Sequence, residues 1–141
     1  MKGQKWYFPA TAAESISLLN DGHRPHAGGT FFLKTSLPDT GLFNLPDNGI
    51  FQLKEYSDDV FNLGAGLTYA DAGLFIKENV PGNVVSEAIL SAASTPLRNR
   101  ITLGGSIFAH PKWSDICGPL IVSNAELMLN DETSVDISEY L

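Results

Sequence analysis

The most informative stretch of this chain lies between Pro96 and Ser106, where the sequence reads PLRNRITLGGS. Its two glycines lack a Cβ atom, so the backbone can approach a ligand closely and turn consecutive N–H groups towards it. A hydroxyl directly after them can donate to a phosphate oxygen. A similar stretch, Gly28 to Thr30, lies near the start of the chain. We expect both stretches at strand-to-helix junctions, closing on a pyrophosphate from two sides. Taken singly, each is more simply a tight turn.

Length and charge limit the classes of protein to consider. The chain has 141 residues, with 43% hydrophobic and 18% charged, which is typical of a globular domain. Its formal net charge of -7 argues against nucleic-acid binding, which needs clustered Lys and Arg. Cys117 is the only cysteine, so this chain alone cannot build a disulfide, a zinc cluster or an iron–sulfur centre. We interpret Cys117 as a small buried hydrophobic residue.

The sequence does not contain the familiar motifs for dinucleotide or metal binding, for secretion or for a membrane span. Gly64-Ala65-Gly66 begins like a dinucleotide-binding fingerprint, but Tyr69 stands at the third glycine position. The three histidines, His23, His26 and His110, are not at metal-ligand spacing, so we expect no metal site. The start lacks an apolar secretory segment, and no apolar run approaches the ~18 residues of a membrane span. We therefore expect a cytoplasmic protein without nucleic-acid or membrane partners.

The pattern of short helices and strands, which do not alternate regularly, predicts an α+β fold. Thr11 and Glu14 form a capping-box pattern for a first helix, with Ile16 and Leu19 as its core stripe and Gly22 as its end. Thr68 is the predicted N-cap of another helix. The predicted helices are 31–37, 69–78, 84–94 and 114–122. The predicted strands are 26–27, 42–45, 50–56, 60–63, 126–129 and 134–137, with 42–45 and 50–56 flanking one turn and the last two flanking Asp131-Glu132.

The residues around the glycines resemble a known family. Pro9-Ala10-Thr11 before a capped helix, followed by Ala27 to Thr30, is similar to the opening of flavin subunits of molybdenum hydroxylases, the xanthine dehydrogenase and carbon monoxide dehydrogenase family. Ala92-Ala93-Ser94 with Leu97 to Ser106 resembles that family's second signature, and Asp115 follows at the usual interval. The similarity runs from about residue 8 to residue 129.

The resemblance implies an FAD-binding fold of the p-cresol methylhydroxylase type. We expect a small α/β lobe over residues 1–58 and a larger α+β lobe over residues 59–141, with FAD between them. The first loop would bind the FAD pyrophosphate, the second would grip it from the other side, and Asp115 would hydrogen-bond a ribityl hydroxyl. Arg98 and Arg100 would either neutralise phosphate charge or make salt bridges that are structural or face another subunit. The implied cofactor-binding residues are Ala27, Gly28, Gly29, Thr30, Phe31, Thr102, Leu103, Gly104, Gly105, Ser106 and Asp115.

The family function implied by the resemblance is electron relay. A large subunit would oxidise a substrate at molybdopterin, and 2Fe-2S clusters in a small subunit would pass electrons to FAD and on to an acceptor such as NAD. The protein positions the flavin, and the flavin carries out the redox chemistry. We therefore expect no catalytic side chain here, and an oxidoreductase component that is inactive alone.

The sequence departs from the family pattern in three places. Phe31 stands where the family often has an acidic residue, and Ser106 stands where it often has Asn. The family's flavin subunits also continue into a C-terminal domain, whereas this chain stops at Leu141. A fragment, or a shortened subunit that binds no flavin and serves in assembly, is therefore the alternative. An oxidase or reductase from elsewhere in the same fold superfamily is a third hypothesis.

Overall fold

The computed structural model describes residues 4–32, 39–45, 49–129 and 133–141. Its helices are α1 (Ala12–Asn20), α2 (Tyr69–Asn79), α3 (Val84–Ser91), α4 (Thr95–Arg98), α5 (Leu103–Ala109), α6 (Cys117–Val122) and α7 (Ile137–Tyr140), with a 3-10 helix over Gly49–Gln52. Its strands are β1 (Trp6–Tyr7), β2 (Arg24–His26), β3 (Leu42–Asn44), β4 (Lys54–Ser57), β5 (Val60–Leu63), β6 (Glu126–Met128) and β7 (Ser134–Asp136). This mixture confirms the α+β prediction.

The first part of the chain is a small parallel sheet covered by α1. The strand order is β1-β3-β2, and β3 pairs in parallel with both neighbours. Leu42 and Phe43 of the central strand are almost fully buried. The predicted pairing of 42–45 with 50–56 around one turn is wrong, because β3 is the centre of this sheet and β4 pairs with β5 instead.

Helix α1 begins as the capping pattern predicts. The Thr11 side chain accepts a hydrogen bond from the Glu14 N–H, while the Glu14 carboxylate accepts one from the N–H of Ala10, one residue before the cap. The helix ends before Gly22, whose φ of +83° suits glycine. Leu19 is 53% exposed, so its predicted place in the core stripe is wrong. Ser15 is the buried residue on this helix.

Two antiparallel hairpins complete the strands. Asp58 and Asp59, both with positive φ, form the two-residue turn between β4 and β5, a geometry that matches the twist of a hairpin. The first of these strands covers only the end of the predicted 50–56 segment, because residues 49–52 form the 3-10 helix. Strands β6 and β7 confirm the predicted final pair, although its turn lies outside the described residues. A lobe boundary at residue 58 stays a prediction.

The larger apolar core lies beneath α2 and α3. It contains Leu67, Tyr69, Ala72, Ile76, Val85, Ile89, Ala92, Leu103 and Ile116. The two helices approach closely because Gly73 of α2 faces Leu90 of α3. The buried hydroxyl of Ser86 donates to the carbonyl oxygen of Gly73 at 2.9 Å, which satisfies both polar groups inside the core.

Two helices, α3 and α6, each differ from their predicted bounds by three residues at one end. Thr68 caps α2 as predicted, by accepting from the Asp71 N–H. Helix α3 ends at Ser91 instead of Ser94, because Ala93 has a φ of +47°. Helix α6 begins at Cys117, three residues later than predicted. The predicted helix over 31–37 lies largely outside the described residues.

The close contact between α2 and α3 gives a stability prediction. In Gly73→Ala, the new methyl group would lie 2.7 Å from two carbons of Leu90, so we expect the free energy of unfolding to fall by about 1–3 kcal/mol. Gly118→Ala is the matched control, because it lies in α6 with no atom near the new methyl group. We expect the control to be neutral or stabilising by up to about 1 kcal/mol. Urea denaturation measures both, and equal stabilities would contradict the packing argument.

Candidate functional site

The two glycine-rich segments predicted from the sequence lie directly against each other. The guanidinium group of Arg100 donates two hydrogen bonds to the carbonyl oxygen of Gly28, from Nε at 3.1 Å and from Nη2 at 3.0 Å. A Cβ atom on Gly28 would overlap the carbonyl oxygen of Arg100. Glycine is therefore required at position 28 by the crossing of two backbones that are 72 residues apart in sequence.

The first segment leaves backbone donors unused. It follows β2, whose last residue, His26, accepts a hydrogen bond from the N–H of Leu45. Gly29 has a φ of +71°, and a Cβ there would lie 2.5 Å from Nε2 of His26. Within the described part of the chain, the N–H groups from Ala27 to Phe31 have no hydrogen-bond acceptor. Consecutive unpaired N–H groups of this kind are a binding site for an anion.

The second segment is different, because its N–H groups are already paired. Leu103 donates to the carbonyl of Leu67 at 2.9 Å, and Gly104 donates to the carbonyl of Ala65 at 2.8 Å. The N–H of Gly105 donates to the Thr102 hydroxyl, which caps α5, and that of Ser106 donates to the Thr102 carbonyl. The glycine pair thus lies inside the first turn of α5.

Packing explains the first glycine of this pair. A Cβ on Gly104 would lie 2.8 Å from the Cβ of Ala65, in the segment before α2. That segment and the second glycine segment run side by side, with an antiparallel bridge between Thr68 and Thr102. The Gly64-Ala65-Gly66 sequence, which fails as a dinucleotide fingerprint, therefore supports α5. Whether the second segment contacts a cofactor stays a prediction.

A polar cleft of about 400 Å³ lies beside the crossing. It is lined by Ala27, Gly28, Asn44, Leu45, Gln52, Gly66, Thr68, Asp71, Asn99, Arg100 and Thr102. The charged members of this lining are Asp71 and Arg100. Sequence reasoning identified Ala27, Gly28 and Thr102 but missed the amide side chains, which come from three separated segments. The sequence signal for this cleft was Gly66, where the backbone passes close to residues 51 and 52: a Cβ on Gly66 would lie 2.7 Å from the carbonyl oxygen of Phe51.

A second polar cluster forms one turn further along α5. The half-buried Ser106 and the exposed Asp115 both lie near the phenol of Tyr69 and influence its ionisation. Nearby, the Cys117 thiol donates to the Ser114 hydroxyl at 3.2 Å. Burial is the main cause that raises the pKa of Tyr69, and the nearby Asp115 and Cys117 raise it further, against the lowering effect of Ser106. The structure thus brings together Ser106 and Asp115, with Tyr69 as the residue that sequence reasoning missed.

The remaining predicted residues lie around these two places. Gly29 and Thr30 are half-buried, Phe31 is 46% exposed, and Leu103 belongs to the apolar core. The Arg98 guanidinium donates to the carbonyls of Ala92 and Ala93 and to the Thr95 hydroxyl, so it holds the end of α3. Both arginines therefore bind neutral oxygen atoms of the protein itself, where a structural salt bridge was the expected alternative.

Comparison with known proteins identifies the family of this chain. The model of the FAD binding domain in molybdopterin dehydrogenase matches residues 2–141. This chain belongs to that family. No curated protein matches it significantly. The family expected from the sequence is confirmed, and the chain is an FAD-binding domain of an oxidoreductase family.

Solved structures share the fold of this FAD-binding domain. Quinoline 2-oxidoreductase from Pseudomonas putida 86 matches with a TM-score of 0.84 and 21% identity, over 100% of this chain and 55% of its own. Carbon monoxide dehydrogenase from Oligotropha carboxidovorans matches with a TM-score of 0.81 and 20% identity, over 96% and 51%. Carbon monoxide dehydrogenase from Hydrogenophaga pseudoflava matches with a TM-score of 0.78 and 19% identity, over 96% of this chain and 50% of its own. This chain spans about half the length of those chains.

Among the described residues there is neither a metal-binding cluster nor a membrane-spanning helix. Across residues 4–32, 39–45, 49–129 and 133–141, no group of three or more His, Cys, Asp or Glu side chains is arranged to hold a metal ion. In the same part of the FAD-binding domain, no helix is long and apolar enough to cross a bilayer.

The buried phenol gives a prediction about alkaline pH. Because burial disfavours the ionised form, the pKa of Tyr69 in the folded chain is above its usual value of about 10. As pH rises through the range between these two values, the unfolded chain releases the proton first, so stability is lost there. We expect the Tyr69→Phe variant to lose one late-ionising phenol in an ultraviolet absorbance titration. Loss of a phenol that ionises at the ordinary pH of about 10 would instead show that Tyr69 ionises normally.

Proposed function

We propose that this chain holds FAD at the first glycine segment and along the face of α5 that carries Ser106, as the electron-transfer component of a molybdopterin-dependent oxidoreductase. The observation that carries the proposal is the run of N–H groups from Ala27 to Phe31 that have no acceptor among the described residues. Such groups suit the diphosphate of FAD. Because the net charge is -7, local backbone dipoles must provide most of the attraction for this anion.

The second cluster fits another part of the same cofactor. FAD carries a ribityl chain with several hydroxyls, and the Asp115 carboxylate can accept a hydrogen bond from one of them. Ser106 is both a donor and an acceptor at the same place. Of the predicted binding residues, Leu103 and Gly104 contribute by packing α5, and Thr102 contributes by capping it.

The bound flavin supplies the redox chemistry, because its ring accepts and releases electrons. The side chains of this chain bind and orient it, and none is assigned as an acid, base or nucleophile. We propose that iron–sulfur clusters of a small partner subunit deliver electrons that a large molybdopterin subunit takes from substrate, and that NAD is the acceptor. On this proposal the protein is cytoplasmic, and the isolated chain oxidises no substrate.

The first test is the visible absorption spectrum of the purified chain after excess FAD and desalting. Retained flavin bands would support a working site, and their bleaching by NADH under anaerobic conditions would support exchange of electrons with NAD. A colourless protein that also fails to take up FAD together with its partner subunits would overturn the proposal.

One observation favours the flavin-free assembly subunit as the second candidate. All four N–H groups from Leu103 to Ser106 are paired within the protein, so this segment offers a diphosphate no free backbone donor. The spectrum separates the two candidates, because an assembly subunit would join its partner subunits without carrying flavin.

The proposed role of Asp115 gives a prediction with an internal comparison. In Asp115→Ala we expect FAD affinity to fall by about tenfold, because a charged acceptor for a ribityl hydroxyl is lost. Affinity for ADP, which contains the diphosphate but no ribityl chain, should stay unchanged. Glu78→Ala, an exposed carboxylate of α2, is the control and should bind both ligands normally. Isothermal titration calorimetry measures the four affinities. An equal loss for ADP would assign Asp115 to a different role.

A further inference from the structure

We propose that Arg100 is a positioning residue of the flavin site, which acts by orienting the first glycine segment and not by neutralising phosphate charge. This inference rests on the proposed function. It goes further by assigning a role to a side chain that sequence reasoning left between phosphate binding and a salt bridge.

The hydrogen bonds of Arg100 define how it would act. Both Nε and Nη2 donate to a single acceptor, the carbonyl oxygen of Gly28, at 3.1 Å and 3.0 Å. A planar guanidinium that binds one oxygen through two N–H groups fixes the direction of that carbonyl. The close approach of the two backbone segments at Gly28 adds a steric constraint, because a Cβ atom on Gly28 would overlap the carbonyl oxygen of Arg100.

The planarity of the peptide group carries this constraint to the next residue. The described peptide bonds are trans, so the carbonyl of Gly28 and the N–H of Gly29 lie in one plane and point in opposite directions. When Arg100 fixes the carbonyl, it also aims the N–H of Gly29 away from the guanidinium. An anion bound by that N–H therefore lies on the side of the peptide opposite to Arg100. The positive charge of Arg100 is therefore poorly placed to contact the anion directly. The hydrogen bonds of Arg100 to Gly28 instead determine whether the N–H of Gly29 faces the anion.

Flexibility of the glycine pair makes an external support necessary. Gly28 and Gly29 have wide conformational freedom, and the positive φ of Gly29 is one of several accessible values. Since their N–H groups have no acceptor in the described part of the chain, no backbone hydrogen bond from these groups holds the segment in a binding conformation. The two hydrogen bonds from Arg100 supply that support from 72 residues away.

Arg98 is a matched control for this experiment. It lies two residues away and also donates to backbone carbonyls, but these belong to Ala92 and Ala93 at the end of α3. The test compares Arg100→Ala, Arg100→Gln and Arg98→Ala in the full 141-residue chain. Gln is uncharged but can still donate a hydrogen bond to the carbonyl of Gly28. It therefore separates a lost charge from a lost donor.

Affinities for FAD, ADP and riboflavin are measured by fluorescence titration. We expect Arg100→Ala to weaken FAD and ADP by about tenfold to a hundredfold and to leave riboflavin, which has no phosphate, within about twofold. Arg100→Gln should recover most of the FAD affinity, and Arg98→Ala should stay within about threefold of the wild type. If Arg100→Gln binds FAD as weakly as Arg100→Ala, charge is the cause and the proposal is wrong. Unchanged FAD affinity in Arg100→Ala would also overturn it.

A measurement without flavin checks the mechanism directly. Backbone amide relaxation in the ligand-free chain should show faster motion at Gly28 and Gly29 in Arg100→Ala, and no change there in Arg98→Ala. Equal order at the two glycines in all variants would overturn the positioning role, even if the proposed function holds. A wild type that binds neither FAD nor ADP would instead contradict the proposed function itself. If Arg100→Ala does not fold, Arg100→Met takes its place, because Met keeps an unbranched side chain of similar length but has no hydrogen-bond donor.

Discussion

The contact between Gly28 and Arg100 is the constraint on which the candidate site depends. It joins the segment after the small parallel sheet to the segment before α5, through two hydrogen bonds and a backbone approach that excludes a side chain at position 28. This contact connects the first glycine segment to the segment that begins α5, whose Leu103 belongs to the larger apolar core.

The two glycine segments look alike in sequence but solve different structural problems. In the first, the N–H groups have no acceptor in the described ranges, and Arg100 holds the conformation by binding the Gly28 carbonyl on the other side of the peptide. In the second, every N–H group is used to start a helix or to pair with residues 65–67, and Gly104 is required by the neighbouring Ala65. A glycine pair before a hydroxyl residue is therefore compatible with both roles. Only the partners of the N–H groups separate an anion site from a packed helix start.

Helix α5 links the two polar regions and connects them to stability. Its N-cap, Thr102, lines the polar cleft, while Ser106, one turn later, reaches the buried Tyr69 and the neighbourhood of Asp115. Leu103 between them is part of the apolar core. A short helix of this kind orients polar side chains well because one of its faces is buried. The same arrangement means that substitutions in the second segment act on the core as well as on the site.

Local chemistry in the sequence was enough to determine several features. The caps at Thr11 and Thr68, the last hairpin, the α+β class and the family all follow from residues close to one another in the chain, because capping, turns and short motifs are local interactions. Tertiary structure decided the rest. Four features depend on partners distant in sequence: the parallel pairing of β3, the exposure of Leu19, the paired N–H groups of the second segment and the hydrogen bonds of Arg100 to Gly28. These partners come together only when the whole chain packs, and a local pattern of residues does not specify that packing.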